Sequence, residues 1–377
     1  MGASVTGEPL RILQIYPKAD YFTGAGIQLF ELARGLAARG HEVVVATRPS
    51  PLWAGKCREA GLPHHALPMR RAVDLRSILG LRTLMRQHRT QLVHAHKGRA
   101  RTLVLLAGLL GPRPPLVLNR GVSFPLTRWN RLGYTTRRVR AVVAVCESIK
   151  RGLIAAGVPP AKVAVIYSGT DTERFHPGLD GTGIRRELGL GPEHVLVTQI
   201  GVRSWRGWRD VLDAMARVAR EVERARLLFV GAPPPRIAEI GDQARTRGLG
   251  DRVLVLPARD DVPLILAASD IVVDASWAGL GVTGSIREAM ACERPVVATR
   301  LQGMPELVRD GETGLLVPPR DPEALAAAIG RLVADPTWSQ EMAHAGRKRV
   351  EAHFSLRAKL EATEALYRRV LAAGGGA

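Results

Sequence analysis

Cysteine is scarce in this sequence, and long apolar runs are missing from it. The 377 residues include three cysteines, Cys57, Cys146 and Cys292, which lie far apart along the chain. That spacing fits neither a metal site nor a disulfide framework, so we expect a reducing, cytoplasmic setting. No window of about 18 apolar residues occurs, and we therefore predict no transmembrane helix. The opening residues MGASVTGEPL lack a basic region followed by an apolar run, so we expect no secretory signal.

Acidic residues are scarce in the first half of the chain only. Residues 1–178 hold 27 Lys and Arg against 9 Asp and Glu, a net charge of +18. Residues 179–377 hold 27 against 26, a net charge of +1, and together the halves give the +19 of the whole chain. An arginine-rich genome would raise the charge of both halves. We therefore expect the basic half to contact an anionic partner.

Short apolar runs alternate with amphipathic segments along the whole chain. The strand-like runs are RILQIYP, HEVVVAT, QLVHAH, PLVLNR and AVVAVC in the first half, and VLVTQIG, ARLLFVG, RVLVLP, DIVVDAS, PVVAT and GLLVPP in the second. This alternation predicts parallel sheets that are covered by helices on both faces. A length of 377 residues is long for one core, which favours two domains.

A break in the pattern marks the domain boundary. Gly, Pro and charged residues dominate between Phe175 and His194, and we interpret this stretch as a linker. We place one domain at 1–178 and a second at 179–355, with a terminal helix near 356–372 that is expected to pack back on the first. The predicted fold class is α/β, with two doubly wound Rossmann-like domains facing each other across a cleft. Ligands bind such sheets at the carboxyl ends of the strands.

The stretch VTGSIRE offers a helix start as a candidate phosphate site. Thr283, Gly284 and Ser285 precede a predicted helix at Ile286–Cys292. Unpaired N–H groups and the helix dipole at such a start attract phosphate. Glu288 has two interpretations, because Ser285 and Glu288 also have the spacing of a capping box. By periodicity alone, capping is the preferred role for Glu288.

Two further loops carry candidate residues. Arg203 and Arg206 follow a strand in GVRSWRGWRD and have the charge to neutralise a diphosphate, although solvated surface arginines would give the same pattern. In YFTGAGIQLFELA, Thr23 and Gly24 begin a turn that lets a substrate approach the backbone or simply joins a strand to a helix. Leu29 replaces the last glycine of G-x-G-x-x-G, so a dinucleotide fingerprint is absent.

Four segments in this order resemble one known family. They are TGAGIQLFELARGLAARGHEV, VAVIYSGTDTERFHP, RSWRG and REAMACERPVVATRLQGMPELVRDGETGLLVPPRDPEAL. The chain resembles the family 4 retaining glycosyltransferases of the GT-B fold over nearly its whole length. This resemblance implies transfer of a sugar from a nucleotide diphosphate, with UDP or GDP as the expected carrier, with retention at the anomeric carbon and without a metal cofactor.

The resemblance also implies roles for individual residues. Glu288 matches the glutamate that binds the ribose hydroxyls, and with this match we favour ribose binding over capping. The loop from Gly281 to Ser285 matches the segment whose backbone meets the donor phosphates. Arg203 and Arg206 match the basic pair on the diphosphate, where many relatives have a lysine in the second place.

This sequence departs from the family pattern at two positions. Leu280 stands where relatives often have a glutamate that touches the donor sugar, and Arg120 stands where they often have a histidine near the reacting sugar. We keep Arg120 as a candidate catalytic residue. We keep His94, His96 and Lys97, at the end of QLVHAHK, as candidate substrate contacts, although a histidine at a strand end is more often structural.

The acceptor is expected on the basic N-terminal domain. Segments 72–90 and 120–140 mix arginines with apolar residues, and the second adds Phe124, Trp129 and Tyr134. Such a mixture suits an anionic membrane surface, while a core helix with a solvated face is the alternative for the first segment. We expect a glycan or lipid-linked acceptor, including the lipopolysaccharide type, at the inner face of the cytoplasmic membrane.

Three other interpretations stay open. A net charge of +18 on one half would suit a nucleic-acid-binding protein, but no binding module is visible, so no nucleic acid is expected. A nucleotide-sugar 2-epimerase of the same fold would need acid and base carboxylates. A relative that binds sugar nucleotides but has impaired catalysis is credible because of Leu280 and Arg120.

Overall fold

The computed structural model of the chain describes most of its residues. The described ranges are 8–20, 23–121, 126, 128–279 and 281–373, with only the backbone for residues 128 and 129. Leu280, Phe124 and the side chain of Trp129, to which the sequence assigns roles, lie outside the described residues.

The chain forms two compact units. Unit 1 comprises the chain up to Gly169 together with the segment from Leu356 onward, and unit 2 comprises Thr170–Ser355. The sequence placed the boundary at Gly178, whereas residues 170–178 belong to unit 2 in the structure. The physical reason is that the two ends of unit 2 are joined. Thr170 forms a β-bridge with Ser355, and its N–H donates to the carbonyl oxygen of Phe354 at 2.8 Å.

Unit 1 is built on a parallel sheet. Its strands are β1 (Arg11–Tyr16), β2 (Glu42–Thr47), β3 (His64–Ala66), β4 (Leu92–His96), β5 (Leu116–Arg120), β6 (Val139–Ala144) and β7 (Val163–Val165). Its first six helices are α1 (Gly24–Ala38), α2 (Pro51–Glu59), α3 (Leu75–Gln87), α4 (Gly98–Ala107), α5 (Arg128–Thr135) and α6 (Glu147–Ala155). The strands lie in the order β3-β2-β1-β4-β5-β6-β7, and neighbouring strands are parallel.

Unit 2 repeats the same architecture. Its strands are β8 (Val195–Ile200), β9 (Ala225–Val230), β10 (Val253–Leu256), β11 (Ile271–Asp274), β12 (Val296–Thr299) and β13 (Leu315–Val317). Its helices are α7 (Thr182–Glu187), α8 (Trp208–Glu221), α9 (Pro234–Thr246), α10 (Val262–Ala268), α11 (Gly284–Ala291), α12 (Met304–Leu307), α13 (Pro322–Ala334) and α14 (Pro336–Arg349). The strand order is β10-β9-β8-β11-β12-β13, again parallel.

Apolar spacing along each helix decides which face packs on the sheet. In α8 the residues Val211, Leu212, Met215 and Val218 recur at the helical period, and all four are buried. Burial of each such side chain stabilises the fold by about 1.5–3 kcal/mol. The charged residues between them face outward. The alternation of strands and amphipathic helices therefore predicted the α/β class correctly.

The last helix, α15 (Leu356–Ala372), belongs to unit 1. It packs along α1, and Leu360, Leu366 and Val370 join the apolar core of that unit. Tyr367 is fully buried and reaches the polar interior of the sheet. No helix within the described ranges is long and apolar enough to cross a bilayer.

Both sheets contain the same topological switch point. The chain starts each sheet near its centre, builds to one side and then crosses to the other, so β1 lies next to β4 and β8 lies next to β11. The connections after the two central strands run in opposite directions, which leaves a crevice at their carboxyl ends. Ligands of open α/β sheets bind in that crevice.

Candidate functional site

The switch point of unit 2 brings together the loop after β8, which holds Arg203 and Arg206, and the loop after β11, which leads to the start of α11. Arg206 follows β8, and Asp274 is the last residue of the neighbouring strand β11. Glycine shapes the first loop, because Gly207 has a φ of 65° and a Cβ there would lie 2.0 Å from the Ala275 carbonyl oxygen. Only glycine allows this close packing. Gln199 holds the loop from β8 by donating from Nε2 to the Arg206 carbonyl oxygen at 3.1 Å.

Arg206 is fixed by an ion pair. Its Nη1 contacts Oδ2 of Asp274, whose side chain is 1% exposed. The other oxygen, Oδ1, accepts from the Ser276 N–H at 3.0 Å. Trp205 contributes a cation–π contact, with its ring centroid 5.2 Å from the Arg206 guanidinium carbon. These contacts hold the guanidinium at the switch point with 18% of its side chain exposed.

Asp274 was not among the residues predicted from the sequence. A signal was present, because DIVVDAS places a carboxylate at the end of an otherwise apolar strand. A buried carboxylate needs a cationic or hydrogen-bonding partner. The partner, Arg206, lies 68 residues away in sequence and could not be identified without the sheet order.

The start of α11 presents unpartnered polar groups. Thr283, the N-cap, is extended with φ −72° and ψ 133°, and its side chain makes no capping hydrogen bond. The hydroxyls of Thr283 and Ser285 are buried and have no hydrogen-bond partner among the described residues. A buried hydroxyl without a partner is costly in free energy, and a bound ligand that forms a hydrogen bond with it would offset that cost. The N–H groups and hydroxyls at this helix start can therefore bind an anion.

The capping-box interpretation of Glu288 is wrong. The helix begins at Gly284, so Ser285 is its second residue and not its N-cap. The carboxylate of Glu288 accepts no hydrogen bond from any described residue. Burial raises the pKa of Glu288, while the positive charges of Arg287, Arg174 and Arg206 oppose that rise. Glu288 is therefore close enough to Arg206 for their charges to interact, and its acceptor oxygens are available for hydroxyl donors.

Arg287 anchors the other side of α11. Its side chain is buried, and its Nε donates to the Thr170 hydroxyl at 2.6 Å. Burial lowers the pKa of Arg287 to about 10, which still leaves it protonated at neutral pH. Two cations held by buried partners, Arg206 on Asp274 and Arg287 on Thr170, therefore act on the charge of Glu288.

The remaining predicted residues of unit 2 flank this arrangement. Arg203 is exposed, one residue before the short turn Ser204–Arg206, and makes no ion pair with the described residues. Gly281 is buried close to the start of α11. A Cβ on Gly284 would lie 3.6 Å from Oε1 of Glu288, so that position has ordinary space around it.

In unit 1 the two histidines lie inside the sheet. His94 and His96 are 2% and 3% exposed. The Tyr367 hydroxyl lies 2.6 Å from Nδ1 of His94, and Nε2 of His96 lies 2.9 Å from Oε1 of Gln14. Burial lowers the pKa of His94 to about 3, and it lowers that of His96 well below its usual value. The structure therefore places both rings, uncharged, in an internal network, where they have no surface to offer a substrate.

Lys97, Arg120, Thr23 and Gly24 lie at the carboxyl edge of the same sheet. Lys97 precedes α4 with φ 80°, and Arg120 ends β5 with Nη1 3.5 Å from the Tyr134 hydroxyl. Thr23 is the N-cap of α1, and its Oγ1 accepts from the Gly26 N–H at 3.1 Å. Its hydroxyl thus has an ordinary capping role, while Gly24 borders open space.

Two family models match the chain. One, described as Glycosyltransferase Family 4, matches residues 22–174, and the other, described as Glycosyl transferases group 1, matches residues 192–335. Alpha-maltose-1-phosphate synthase of Mycolicibacterium smegmatis is 33% identical over 288 residues, which cover 71% of this chain and 73% of that protein. N-acetyl-alpha-D-glucosaminyl L-malate synthase of Bacillus anthracis is 26% identical over 92% of this chain and 94% of its own.

Solved structures share the fold over nearly the whole chain. The crystal structure of Anabaena HepE in complex with UDP and glucose matches with a TM-score of 0.83 and 22% identity, covering 96% of this chain and 100% of that one. Two parallel sheets of the GT-B type are thus common to both proteins. With the family matches to both halves, the chain belongs to the family 4 glycosyltransferases and is a glycosyltransferase of the GT-B fold.

Proposed function

We propose that the protein transfers a sugar from a nucleoside diphosphate, bound by unit 2, to a hydroxyl of a glycan or lipid-linked acceptor, with retention at the anomeric carbon. One observation carries the donor assignment. Arg206, the unpartnered hydroxyls of Thr283 and Ser285, and the available carboxylate of Glu288 all border the switch point of one sheet. This set matches a diphosphate with its ribose. The HepE structure is a complex with UDP and glucose, which favours a UDP-linked donor.

In this proposal the diphosphate is the leaving group. The bond between the anomeric carbon and the diphosphate oxygen breaks, and negative charge grows on that oxygen. Arg206, Arg203 and the start of α11 stabilise the charge. The acceptor hydroxyl attacks on the same face, its oxygen bonds to the anomeric carbon, and its proton passes to the departing phosphate. These cationic and N–H groups serve in place of a metal ion.

Nucleotide binding tests the donor assignment. Calorimetry with UDP, GDP and ADP on the wild-type protein is expected to show micromolar binding of one nucleotide, with UDP preferred. The matching nucleotide sugars are then screened for loss of sugar in the presence of candidate acceptors. If none of the three nucleotides binds, the donor site in unit 2 is wrong. Binding without any transfer to acceptors would instead indicate a relative with impaired catalysis.

The proposal also concerns the chemical class of the acceptor. The two relatives described above are named for products that carry carboxylates, as L-malate does, or a phosphate, as maltose-1-phosphate does. These names favour an acidic acceptor, which agrees with the charge of +18 on residues 1–178. We propose an acidic glycan or lipid-linked glycan, with the lipopolysaccharide type as one candidate.

We also propose that one face of α3 docks on an anionic membrane at the cytoplasmic side. On α3, Leu75 and Leu79 are 65% and 43% exposed, and Val73, just before the helix, is 68% exposed, while the opposite face of the helix is buried in the unit. Exposed arginines surround them, namely Arg70, Arg71, Arg76 and Arg86. The one carboxylate of this segment, Asp74, caps the helix. Exposed apolar side chains among cations are typical of interfacial helices.

Vesicle sedimentation tests this docking surface. Vesicles of phosphatidylglycerol and phosphatidylcholine are expected to retain the wild-type protein at low salt, with retention falling as ionic strength rises. The variant Leu75→Ser/Leu79→Ser should lose most of that retention, because it removes the apolar contact and leaves the charge. Leu264→Ser is the matched control, since Leu264 is 38% exposed in unit 2. Equal retention of both variants would reject α3 as the docking face.

A further inference from the structure

Three cations follow three neighbouring strands of the unit 1 sheet. Lys18 lies two residues beyond β1, Lys97 directly follows β4, and Arg120 ends β5. The strands β1, β4 and β5 are adjacent and parallel, so their carboxyl ends meet at one edge. The pairing of His96 with Asn119 places Lys97 and Arg120 at the next neighbouring positions. Lys18 and Lys97 flank the switch point of this sheet, where ligands of such folds bind.

The three charges act on one another. Partial burial lowers the pKa of Lys97, and the charges of Lys18 and Arg120 lower it further. Within the described ranges neither lysine forms an ion pair. The negative charge of Asp20, the acidic residue of this loop, helps to raise the pKa of Tyr16. Converging cations repel one another and destabilise the fold. An anion bound among them would remove that repulsion.

The backbone at Lys97 is in an unfavourable conformation. Its φ of 80° and ψ of 154° lie in a region that residues with a Cβ rarely adopt. The side chain makes no capping hydrogen bond to α4, and Gly98, the first residue of that helix, borders open space. Strain of this kind persists mainly at functional sites. Here it places a lysine, and the first N–H groups of a ten-residue helix, at the switch point.

Tyr134 and Arg101 lie next to Arg120. Arg101 is 7% exposed and lies over the Tyr134 ring, with its guanidinium carbon 4.9 Å from the ring centroid. The Tyr134 hydroxyl lies 3.5 Å from Nη1 of Arg120. Arg120 and Arg101 also repel each other, since the charge of Arg120 lowers the pKa of Arg101. Arg120 and Arg101 thus share Tyr134, and both add to the positive charge at this end of β5.

We propose that Lys18, Lys97 and Arg120 form a phosphate site that binds a phosphate group of the acceptor. Two ammonium groups and one planar guanidinium match a tetrahedral anion with several acceptor oxygens. This inference rests on the proposed function, because it names the chemistry of the acceptor for that reaction. Its three residues belong to unit 1, whereas the residues proposed for the donor diphosphate belong to unit 2.

Calorimetry on the full chain tests the site. Saturating UDP first fills the diphosphate site of unit 2, and glucose 1-phosphate and inorganic phosphate are then titrated as probes. Saturable binding of both is expected in the wild type. Lys97→Gly should weaken it at least tenfold, and Lys18→Ala severalfold. Glycine suits a φ of 80°, so Lys97→Gly removes the charge without backbone strain. The control is Arg151→Ala, an exposed cation of α6, which should bind both probes as the wild type does.

The outcomes separate this site from the donor site. Absence of probe binding in the wild type, or equal binding in Lys97→Gly, overturns the phosphate site even when UDP binds normally. If the wild type fails to bind UDP, the proposed donor function fails, while a Lys97-dependent affinity for the probes still supports the phosphate site. Phosphatidylglycerol vesicles added to the titration distinguish the source of the phosphate. Displacement of glucose 1-phosphate assigns the site to a lipid headgroup, and no displacement assigns it to a soluble or glycan phosphate.

Discussion

Replacement of Arg206 by alanine is expected to lower kcat by about a hundredfold or more, the usual cost of removing one group that stabilises developing charge. Arg206 is held at the switch point of unit 2 by Asp274 and Trp205. In the proposed function it stabilises the diphosphate of the donor. The measurement is single-turnover transfer from the donor that calorimetry identifies, at saturating donor concentration.

The same variant leaves Asp274 buried without a counter-charge, which destabilises the fold. A second variant, Arg206→Ala/Asp274→Asn, removes that charge and separates lost catalysis from lost stability. Both should show the large loss of kcat, whereas the melting temperature should recover in the double variant. Arg220→Ala is the control, because Arg220 is exposed on α8 and forms no hydrogen bond to another described residue. A wild-type rate in Arg206→Ala would remove Arg206 from the mechanism.

Replacement of Glu288 by glutamine is expected to weaken binding of the nucleotide by about tenfold to a hundredfold. A hydrogen bond to a charged group contributes about 1.5–3 kcal/mol, and about 1.4 kcal/mol corresponds to a factor of ten. The carboxylate has no partner among the described residues, so a ribose hydroxyl would be its first hydrogen-bond donor. Glu323→Gln, at the exposed start of α13, is the matched control.

Binding of the ribonucleotide and of its 2′-deoxy form to the wild type and to Glu288→Gln tests the contact between Glu288 and the ribose. The wild type should bind the deoxy nucleotide more weakly than the ribonucleotide, and Glu288→Gln should bind the two with more similar affinity. Equal ratios in wild type and variant would show that Glu288 acts on fold or charge and not on the ribose.

The pH dependence of binding gives a third readout for Glu288. Burial raises its pKa in the free protein, and a hydroxyl donor requires the ionised form. Nucleotide affinity is therefore full above that raised pKa and falls as the pH drops through it. The glutamine variant should lack this step.

Much of the fold and part of the site follow from local sequence. Strands were predicted from short continuous apolar runs, and helices from apolar residues that recur at a period of 3.6, the local pattern that also gave α8 its buried face. That a helix starts after the small residues Thr283 to Ser285, and is thus a candidate phosphate site, could be predicted from small residues before an apolar run. Its true first residue, Gly284, could not, because helix ends depend on which hydrogen bonds the surrounding loop leaves free.

Tertiary structure alone decided which side chains meet. The chain crosses over so that β1 lies next to β4 in one sheet and β8 next to β11 in the other, which joins residues that are far apart in sequence. Asp274 thereby pairs with Arg206, and Lys18 approaches Lys97. The same packing buries His94 and His96, which the strand-end pattern had placed among the substrate contacts. The sequence by itself determined the class of fold and the chemical types at each strand end, because those depend on near neighbours. Burial and ion pairing depend on strand order, which is set only when the sheet is assembled.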